Sequence, residues 1–133
     1  MPQHIEENTG KRTGRRTAQQ IAGAAGEAKA LAYLEEAGLC LVARNVRYRD
    51  GELDLVMQAG EMLVFVEVRQ RRNTQFGGAA ASVTPVKQQR LWQAAQRFLL
   101  DNPAWQRAPC RFDVIAIDGT NQDAHINWLQ NAF

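Results

Sequence analysis

The chain has few cysteines and histidines and no long apolar run, and each of these scarcities excludes a class of protein. Two cysteines and two histidines in 133 residues lie too far apart to form a cysteine- or histidine-rich metal site. We expect Cys40 and Cys110 to be buried, reduced side chains. The most apolar stretch, residues 21–34, is interrupted by Glu27 and Lys29, so the sequence predicts no transmembrane helix.

The start of the chain and its overall composition point to a globular cytoplasmic protein without a membrane partner. Residues 1–10 are polar and acidic, which is not the pattern of a secretory signal. Hydrophobic residues make up 45% of the chain, enough for one core. The length predicts a single domain. Residues 1–16 lack apolar periodicity and are predicted to be a flexible basic tail, followed by one folded domain over residues 17–133.

Arginine supplies most of the positive charge. Of sixteen basic residues only three are lysines, against fourteen acids. Arginine binds phosphates and stacks on bases better than lysine, although a GC-rich genome would produce the same bias. The basic residues cluster within residues 11–16, 44–49 and 69–72. Such clusters favour a nucleic-acid-binding surface even when the net charge is only +2.

Periodicity and turn signals predict the order α-β-β-β-α-β. The first helix is expected over residues 18–37, with Thr17 in a capping box. Its apolar stripe is expected to run through Ile21, Ala24, Ala28, Leu31 and Leu34 or Ala32. The second helix is expected to begin at Thr84-Pro85. The predicted strands are residues 39–48, 52–58, 62–69, 111–117 and, as a short fifth strand, 126–129. This order predicts an α/β domain with a mixed sheet, in which the third and fourth strands run parallel.

Carboxylates interrupt the predicted strands where a core is expected. Alternation places Glu52 and Asp54 on one face of the second strand, and Glu67 interrupts an apolar run in the third. If these strands pair across the turn at residues 59–60, Asp54 and Glu67 come close together.

The third strand carries Leu63 and Phe65 on the same face as Glu67. We expect this face to lie against the first helix, which carries Glu27. Three carboxylates would then converge in a partly dry place.

Converging carboxylates repel one another unless a proton or a cation lies between them. Hard oxygen ligands suit Mg²⁺ or Mn²⁺, and a metal site of this kind beside basic residues is suited to phosphodiester hydrolysis. A purely structural interpretation remains open. In that interpretation Glu67 pairs with Arg69 or a neighbouring arginine, and Asp54 caps a strand end.

The acidic motifs carry a resemblance to known nucleases. Asp-Gly-Glu-Leu-Asp-Leu-Val at residues 50–56 and Val-Phe-Val-Glu-Val-Arg at residues 64–69 resemble the core of the PD-(D/E)xK, or restriction-endonuclease-like, nucleases. Together with Gly26-Glu27, Lys87 with Ala94-Ala95, and residues 111–114, they resemble the YraN-like family of small bacterial proteins. That family is related in fold to archaeal Holliday-junction resolvases.

The resemblance implies a restriction-endonuclease-like three-layer fold and a role for each matching residue. Asp54 and Glu67 would bind Mg²⁺ or Mn²⁺ together with the Val68 carbonyl, and Glu27 would match an additional helix acid. The family pattern has a lysine where this chain has Arg69, which can hold a phosphate but cannot act as a base. Lys87 is a candidate substitute if its helix faces the site.

The sequence therefore predicts a metal-dependent endonuclease-like protein acting on branched or structured DNA. Its catalytic residues would be Glu27, Asp54, Glu67 and Arg69. The candidate nucleic-acid contacts are Arg12, Arg15, Arg16, Arg71, Arg72 and Lys87. Two alternatives stay open: a weakly active or inactive nucleic-acid-binding module of the same fold, and a protein-interaction component of DNA processing. A resolvase acting on a junction would also need two sites related by a two-fold axis, and hence a homodimer.

Overall fold

The computed structural model describes residues 18–71, 83–119 and 124–133. The predicted basic tail and the Thr17 cap lie outside these ranges. The elements are α1 (Ala18–Glu36), β1 (Cys40–Tyr48), β2 (Gly51–Ala59), β3 (Met62–Arg71), α2 (Pro85–Asp101), a 3₁₀ turn (Pro103–Trp105), β4 (Cys110–Asp118) and β5 (His125–Leu129). The predicted elements are all present, and both ends of each strand lie within two residues of their predicted positions.

The five strands form one mixed sheet in the order β1-β2-β3-β4-β5. Strands β1, β2 and β3 make an antiparallel meander. Strands β3 and β4 run parallel, because α2 carries the chain back across the sheet between them. Strand β5 adds to β4 as an antiparallel edge. The mixed sheet and its parallel pair are confirmed.

The helices cover opposite faces of the sheet and give the domain three layers. Ala30 and Leu34 of α1 pack in one buried cluster with Val64 and Val66. The other cluster contains Leu91, Ala94, Ala95 and Phe98 of α2, with Leu63 and Phe65 of β3. Because side chains alternate along a strand, the two sets from β3 point to opposite faces. The expectation that the Leu63–Phe65 face lies against the first helix was wrong, since that face packs on α2.

Small residues allow α1 to lie close to the sheet. The buried positions are Gly26, Ala30 and Leu34, four residues apart, whereas Ala28 of the predicted stripe is exposed. A Cβ at Gly26 would come within 3.0 Å of Gln70 Oε1 and 3.7 Å of Ile117 Cδ1. Leu34 of the predicted stripe is confirmed as buried, whereas the prediction for Ala28 was wrong, because hydrophobicity alone does not show which small residues a close helix–sheet contact requires.

Both helices have the predicted local signals at their ends. Helix α1 stops before Gly38, which has φ +99°, and Leu39 N–H donates to Leu34 O at 3.0 Å, closing the end of the helix. Helix α2 begins at Pro85, and the Thr84 hydroxyl accepts from Lys87 N–H at 3.3 Å. The cap orients the first turn of α2, which carries Lys87.

The cysteines do not lie in the core. Cys40 and Cys110 are both exposed free thiols, which corrects the expectation that they are buried. Each is the first residue of a strand, Cys40 of β1 and Cys110 of β4.

Gly51 allows α2 to rest on β2, and its replacement should destabilise the fold. A Cβ there would overlap the backbone carbonyl oxygen of Arg90, which cannot move without shifting α2. We expect Gly51→Ala to lower the free energy of unfolding by about 1–3 kcal/mol, measured by urea denaturation. Gly23→Ala is the matched control, since a Cβ at Gly23 meets nothing within 4 Å, and it should stabilise α1 by about 1 kcal/mol. Equal effects of the two substitutions would contradict this packing.

Candidate active site

Strands β2 and β3 part at two carboxyl groups. Their ladder ends at the Leu55–Val66 pair. Beyond it, β2 still pairs with β1 as far as Gly51, and β3 still pairs with β4 as far as Arg71. Asp54 and Glu67 are the first residues past the end of the shared ladder. The gap between the strands is therefore lined from the start by two acidic residues.

The Asp54 side chain takes the place of a missing strand contact. The backbone N–H of Val68 donates to Asp54 Oδ2 at 2.9 Å, which satisfies a donor that the parting strands would leave unpaired. The Glu67 carboxyl group lies close enough to Asp54 to raise the pKa of Asp54. The structure thus brings Asp54 and Glu67 together, as strand pairing predicts.

Regular alternation along β2 is interrupted at Asp54. Leu53 packs in the cluster under α2, whereas Leu55 packs in the cluster under α1, although residues two apart in a regular strand share a face. In register, Asp54 lies opposite Asn45 of β1, which has a left-handed φ of +52°. The change of face falls beside Asp54, so that alternation alone does not fix the face of its side chain.

Burial and like charge raise the pKa of Asp54 well above its ordinary value. The largest cause is loss of water around the carboxyl group, followed by the charge of Glu67 and the hydrogen bond to it. The Val68 N–H acts in the opposite direction, because it stabilises the charged form. The protein therefore stabilises the charged form of Asp54 less than water does, which favours a bound proton or cation at this carboxyl group.

Glu27 of α1 belongs to the same electrostatic cluster. Burial, and then the charge of Asp54, raise its pKa from 4.5 to about 7. The guanidinium groups of Arg44 and Arg47 act in the opposite direction, and Glu52 adds to the increase. Glu27 on α1 is thus coupled electrostatically to Asp54, while Glu67 lies on the strand face that packs on α2.

A small cavity on the α2 side brings acidic and basic residues together. It has a volume of about 90 Å³ and is lined by Glu52, Glu67, Lys87, Arg90 and Leu91. Lys87 therefore lines the same cavity as Glu67, which is the placement that a substitute for the family lysine requires.

Arg69 lies next to Glu67 on β3. Its Nη1 is 3.8 Å from Glu67 Oε2, which is an ion pair but too long for a hydrogen bond. The Arg69 Nε is buried and has no hydrogen-bond partner within the described part of the chain. The Arg69 side chain as a whole is 29% exposed, so its exposed part, and not the buried Nε, can meet an acceptor such as a phosphate oxygen.

Two further buried acids differ from this cluster because arginine neutralises them. Arg71 binds Asp118 through two hydrogen bonds of 2.7 and 3.0 Å, and this pairing lowers the pKa of Asp118. Fully buried Asp113 accepts from Arg111 Nε, Trp128 Nε1 and the N–H of Asn131, each at 2.9 Å. These networks fasten β3 and the chain end to β4.

Structural acids of this kind were not distinguished by sequence reasoning. The alternation of Arg111 and Asp113 on one strand face is a signal that could have identified the local pair. Arg71 was a candidate nucleic-acid contact, but its guanidinium is engaged by Asp118, so we leave it out of the proposed surface. The candidates Arg12, Arg15, Arg16 and Arg72 lie outside the described residues.

The donor set of the parted strands fits a hard divalent cation. Mg²⁺ is commonly bound by one or two protein carboxylates together with water and substrate phosphate, and Asp54 and Glu67 supply two such groups. Within residues 18–71, 83–119 and 124–133, no group of three or more His, Cys, Asp or Glu side chains is arranged to hold one ion. Any cation here would therefore take its remaining ligands from water, substrate or backbone.

The fold and this site define a three-layer α/β domain with two adjacent, half-buried carboxyl groups at the centre of its sheet. Residues 26–117 match the Uncharacterised protein family UPF0102, the YraN-like family, and the chain belongs to it. A UPF0102 protein of Herminiimonas arsenicoxydans is 57% identical over 118 residues, covering 88% of this chain and 90% of that protein. One from Xanthomonas campestris is 55% identical over 116 residues, covering 87% and 93%. In the described part of the chain, no helix has the length and apolar character needed to cross a membrane.

The raised pKa of Glu27 predicts a pH-dependent stability. The folded state holds this proton more tightly, so the contribution of Glu27 to stability is complete below pH 4.5 and is lost as the pH rises through about 7. Glu27→Gln should therefore melt higher than the wild type at pH 8, and the difference should shrink towards pH 5. Glu35→Gln, at an exposed position of α1, is the control and should show no such trend. A pH-independent difference for Glu27→Gln would place this side chain outside the cluster.

Metal binding should stabilise the fold through Asp54. A cation that binds only the folded site adds about 2.7 kcal/mol at one hundred times its Kd, which raises the Tm of a domain this size by roughly 10 °C. We expect Mn²⁺ to raise the Tm of the wild type but not that of Asp54→Asn.

The metal-free Asp54→Asn protein provides the control for this experiment. Asparagine can still accept from Val68 N–H and donate to Glu67, so its Tm should equal or exceed that of the wild type. A strongly destabilised metal-free variant would instead favour the structural interpretation of the acids.

Proposed function

We propose that the protein is a metal-dependent endonuclease-like protein that acts on structured or branched DNA. The observation that carries the proposal is the carboxyl pair of Asp54 and Glu67, placed in the gap where β2 and β3 part. The family resemblance of residues 50–56 and 64–69 to the PD-(D/E)xK nucleases supports it. Mg²⁺ or Mn²⁺ would be the cofactor.

Asp54 and Glu67 would hold the cation, with the Val68 carbonyl as a further candidate ligand. A divalent cation bound there would lower the pKa of a water molecule and stabilise charge on the phosphate. Asp54 is fixed by the Val68 N–H, so one ligand is already oriented. Glu27, from α1, adds negative charge that favours cation binding.

Lys87 and Arg69 would hold the phosphodiester on the α2 side. Lys87 lines the cavity with Glu67, and the Arg69 side chain lies beside Glu67 and is 29% exposed. Both groups offer donors to phosphate oxygens, and neither needs to give up a proton for that role. A guanidinium at position 69 keeps its proton, so it can orient the substrate but cannot serve as a base.

A nucleic-acid-binding module without cleavage is the second candidate, and the ion pair of Arg69 with Glu67 favours it. The pair partly neutralises a candidate metal ligand, and arginine is bulkier than the lysine of the nuclease pattern. In this alternative the same surface binds DNA, and the acids serve mainly to fix β2 against β3.

Substitution at position 69 separates these two functions. A lysine at position 69 would place a compact ammonium group on the same strand face as Glu67. Arg69→Lys should therefore raise Mn²⁺-dependent nicking of branched DNA. Glu67→Gln should abolish both the basal and the raised activity, as measured on a labelled junction. Reading both variants together excludes a contaminating nuclease, which would respond to neither substitution.

Two other results would redirect the proposal. If Arg69→Lys leaves no detectable cleavage while DNA still binds, the binding module is preferred. If Arg69→Lys lowers an existing activity, the native arginine is a working phosphate clamp, and the supposed handicap of position 69 is refuted.

A further inference from the structure

Helix α2 holds an aromatic ring at the surface. Trp92 is 51% exposed, although large aromatic side chains are usually buried. Its ring stacks on Phe112 at 5.7 Å between centroids, with 21° between the planes. Phe112 in turn stacks on Phe65 and Phe133. The indole is therefore supported from below by a column of aromatic rings and is partly open to solvent.

A polar groove lies beside this ring. Its volume is about 490 Å³, and its lining consists of Pro85, Trp92 and the carboxamides of Gln88, Gln89, Gln93 and Gln96. The groove lining carries no charged side chain. Carboxamides offer both donors and acceptors, as the edges of nucleobases do.

A second groove continues along the same helix. It has a volume of about 470 Å³, shares Gln93 and Gln96 with the first, and is also lined by Arg49, Asp50 and Arg97. The Arg97 side chain is 64% exposed, with its guanidinium 6.0 Å from the Tyr48 ring centroid. Arg97 Nε also pairs with Asp101 at 3.5 Å, whereas Arg49 is exposed, so Arg49 and the outer nitrogens of Arg97 are the groups here that can contact a phosphate backbone.

We propose that Trp92 and the surrounding carboxamides bind an unpaired nucleobase, so that the protein recognises DNA with a single-stranded segment. Base stacking on an exposed aromatic ring, with a basic path for the backbone, is how single strands are bound without strict sequence preference. The proposal rests on the proposed function in taking DNA as the ligand. It adds that α2 serves both the base site and the carboxyl cluster, since Lys87 and Arg90 line the small cavity that Glu67 also lines.

A protein partner fits the same surface less well. Val86 and Leu100 are also exposed, at 71% and 69%, but they lie about four helical turns apart. Glutamines separate them, so they do not form one continuous apolar patch with Trp92. Protein-docking surfaces are more often contiguous apolar areas.

Substitution of Trp92 tests this inference. Trp92→Leu keeps an apolar side chain over Phe112 but removes the stacking surface. We expect it to weaken binding of a fluorescein-labelled oligo(dT) by about 5- to 150-fold, measured by anisotropy, with little change for a blunt duplex. Trp92→Tyr keeps an aromatic ring and should therefore retain most of the wild-type affinity for oligo(dT). Val86→Ala, at an exposed apolar position of the same helix outside both grooves, is the matched control and should bind like the wild type.

The outcomes separate this inference from the proposed nuclease function. If the wild type binds DNA and Trp92→Leu binds oligo(dT) equally well, the base site is refuted while the nuclease proposal stands. If oligo(dT) binding depends on Trp92 but no variant cleaves DNA, the inference stands and the nuclease proposal fails. If Trp92→Leu instead changes self-association on gel filtration and leaves DNA binding intact, the surface is a protein interface and the inference is overturned. A wild type that binds no DNA overturns both proposals.

Discussion

The parting of β2 and β3 is the constraint on which the candidate site depends. Each strand keeps its outer partner, β1 or β4, so the sheet stays continuous on both sides of the gap. The inner edges lose their ladder after Leu55 and Val66, and the freed Val68 N–H is satisfied by Asp54. A carboxylate therefore enters the middle of the sheet as a hydrogen-bond acceptor, and Glu67 is carried in beside it. The gap and its acidic lining are one structural feature.

The carboxyl cluster differs from the other buried acids in how the charge of each carboxyl group is balanced. Asp118 is neutralised by a bidentate arginine, and its pKa is lowered, whereas burial and like charge raise the pKa of Asp54. The same chain therefore contains acids that are fully compensated and acids that are not. Uncompensated, desolvated carboxyl groups cost stability, and binding a cation would relieve that cost.

Helix α2 links the carboxyl cluster to the rest of the proposed DNA surface. Its first turn is fixed by Thr84, and its buried side is held by Leu91 and Phe98. Lys87 faces the cavity at Glu67, while Trp92 emerges on an outer groove. Because both positions belong to one rigid helix that rests on Gly51, the proposed phosphate contact and the proposed base contact keep a fixed spacing.

Local signals in the sequence determined the elements and their order: the Thr84 cap, the stop at Gly38 and the crossover that makes β3 and β4 parallel. Strand pairing also brought Asp54 and Glu67 together. Only the tertiary structure decided that Leu63 and Phe65 face α2, that Arg71 is taken by Asp118, and that the cysteines are exposed. Alternation shows which residues share a face but not which helix covers it, and ion pairs between distant residues depend on strand order and register. Propensity and periodicity are local, whereas layer assignment and charge pairing are set by packing of the whole chain.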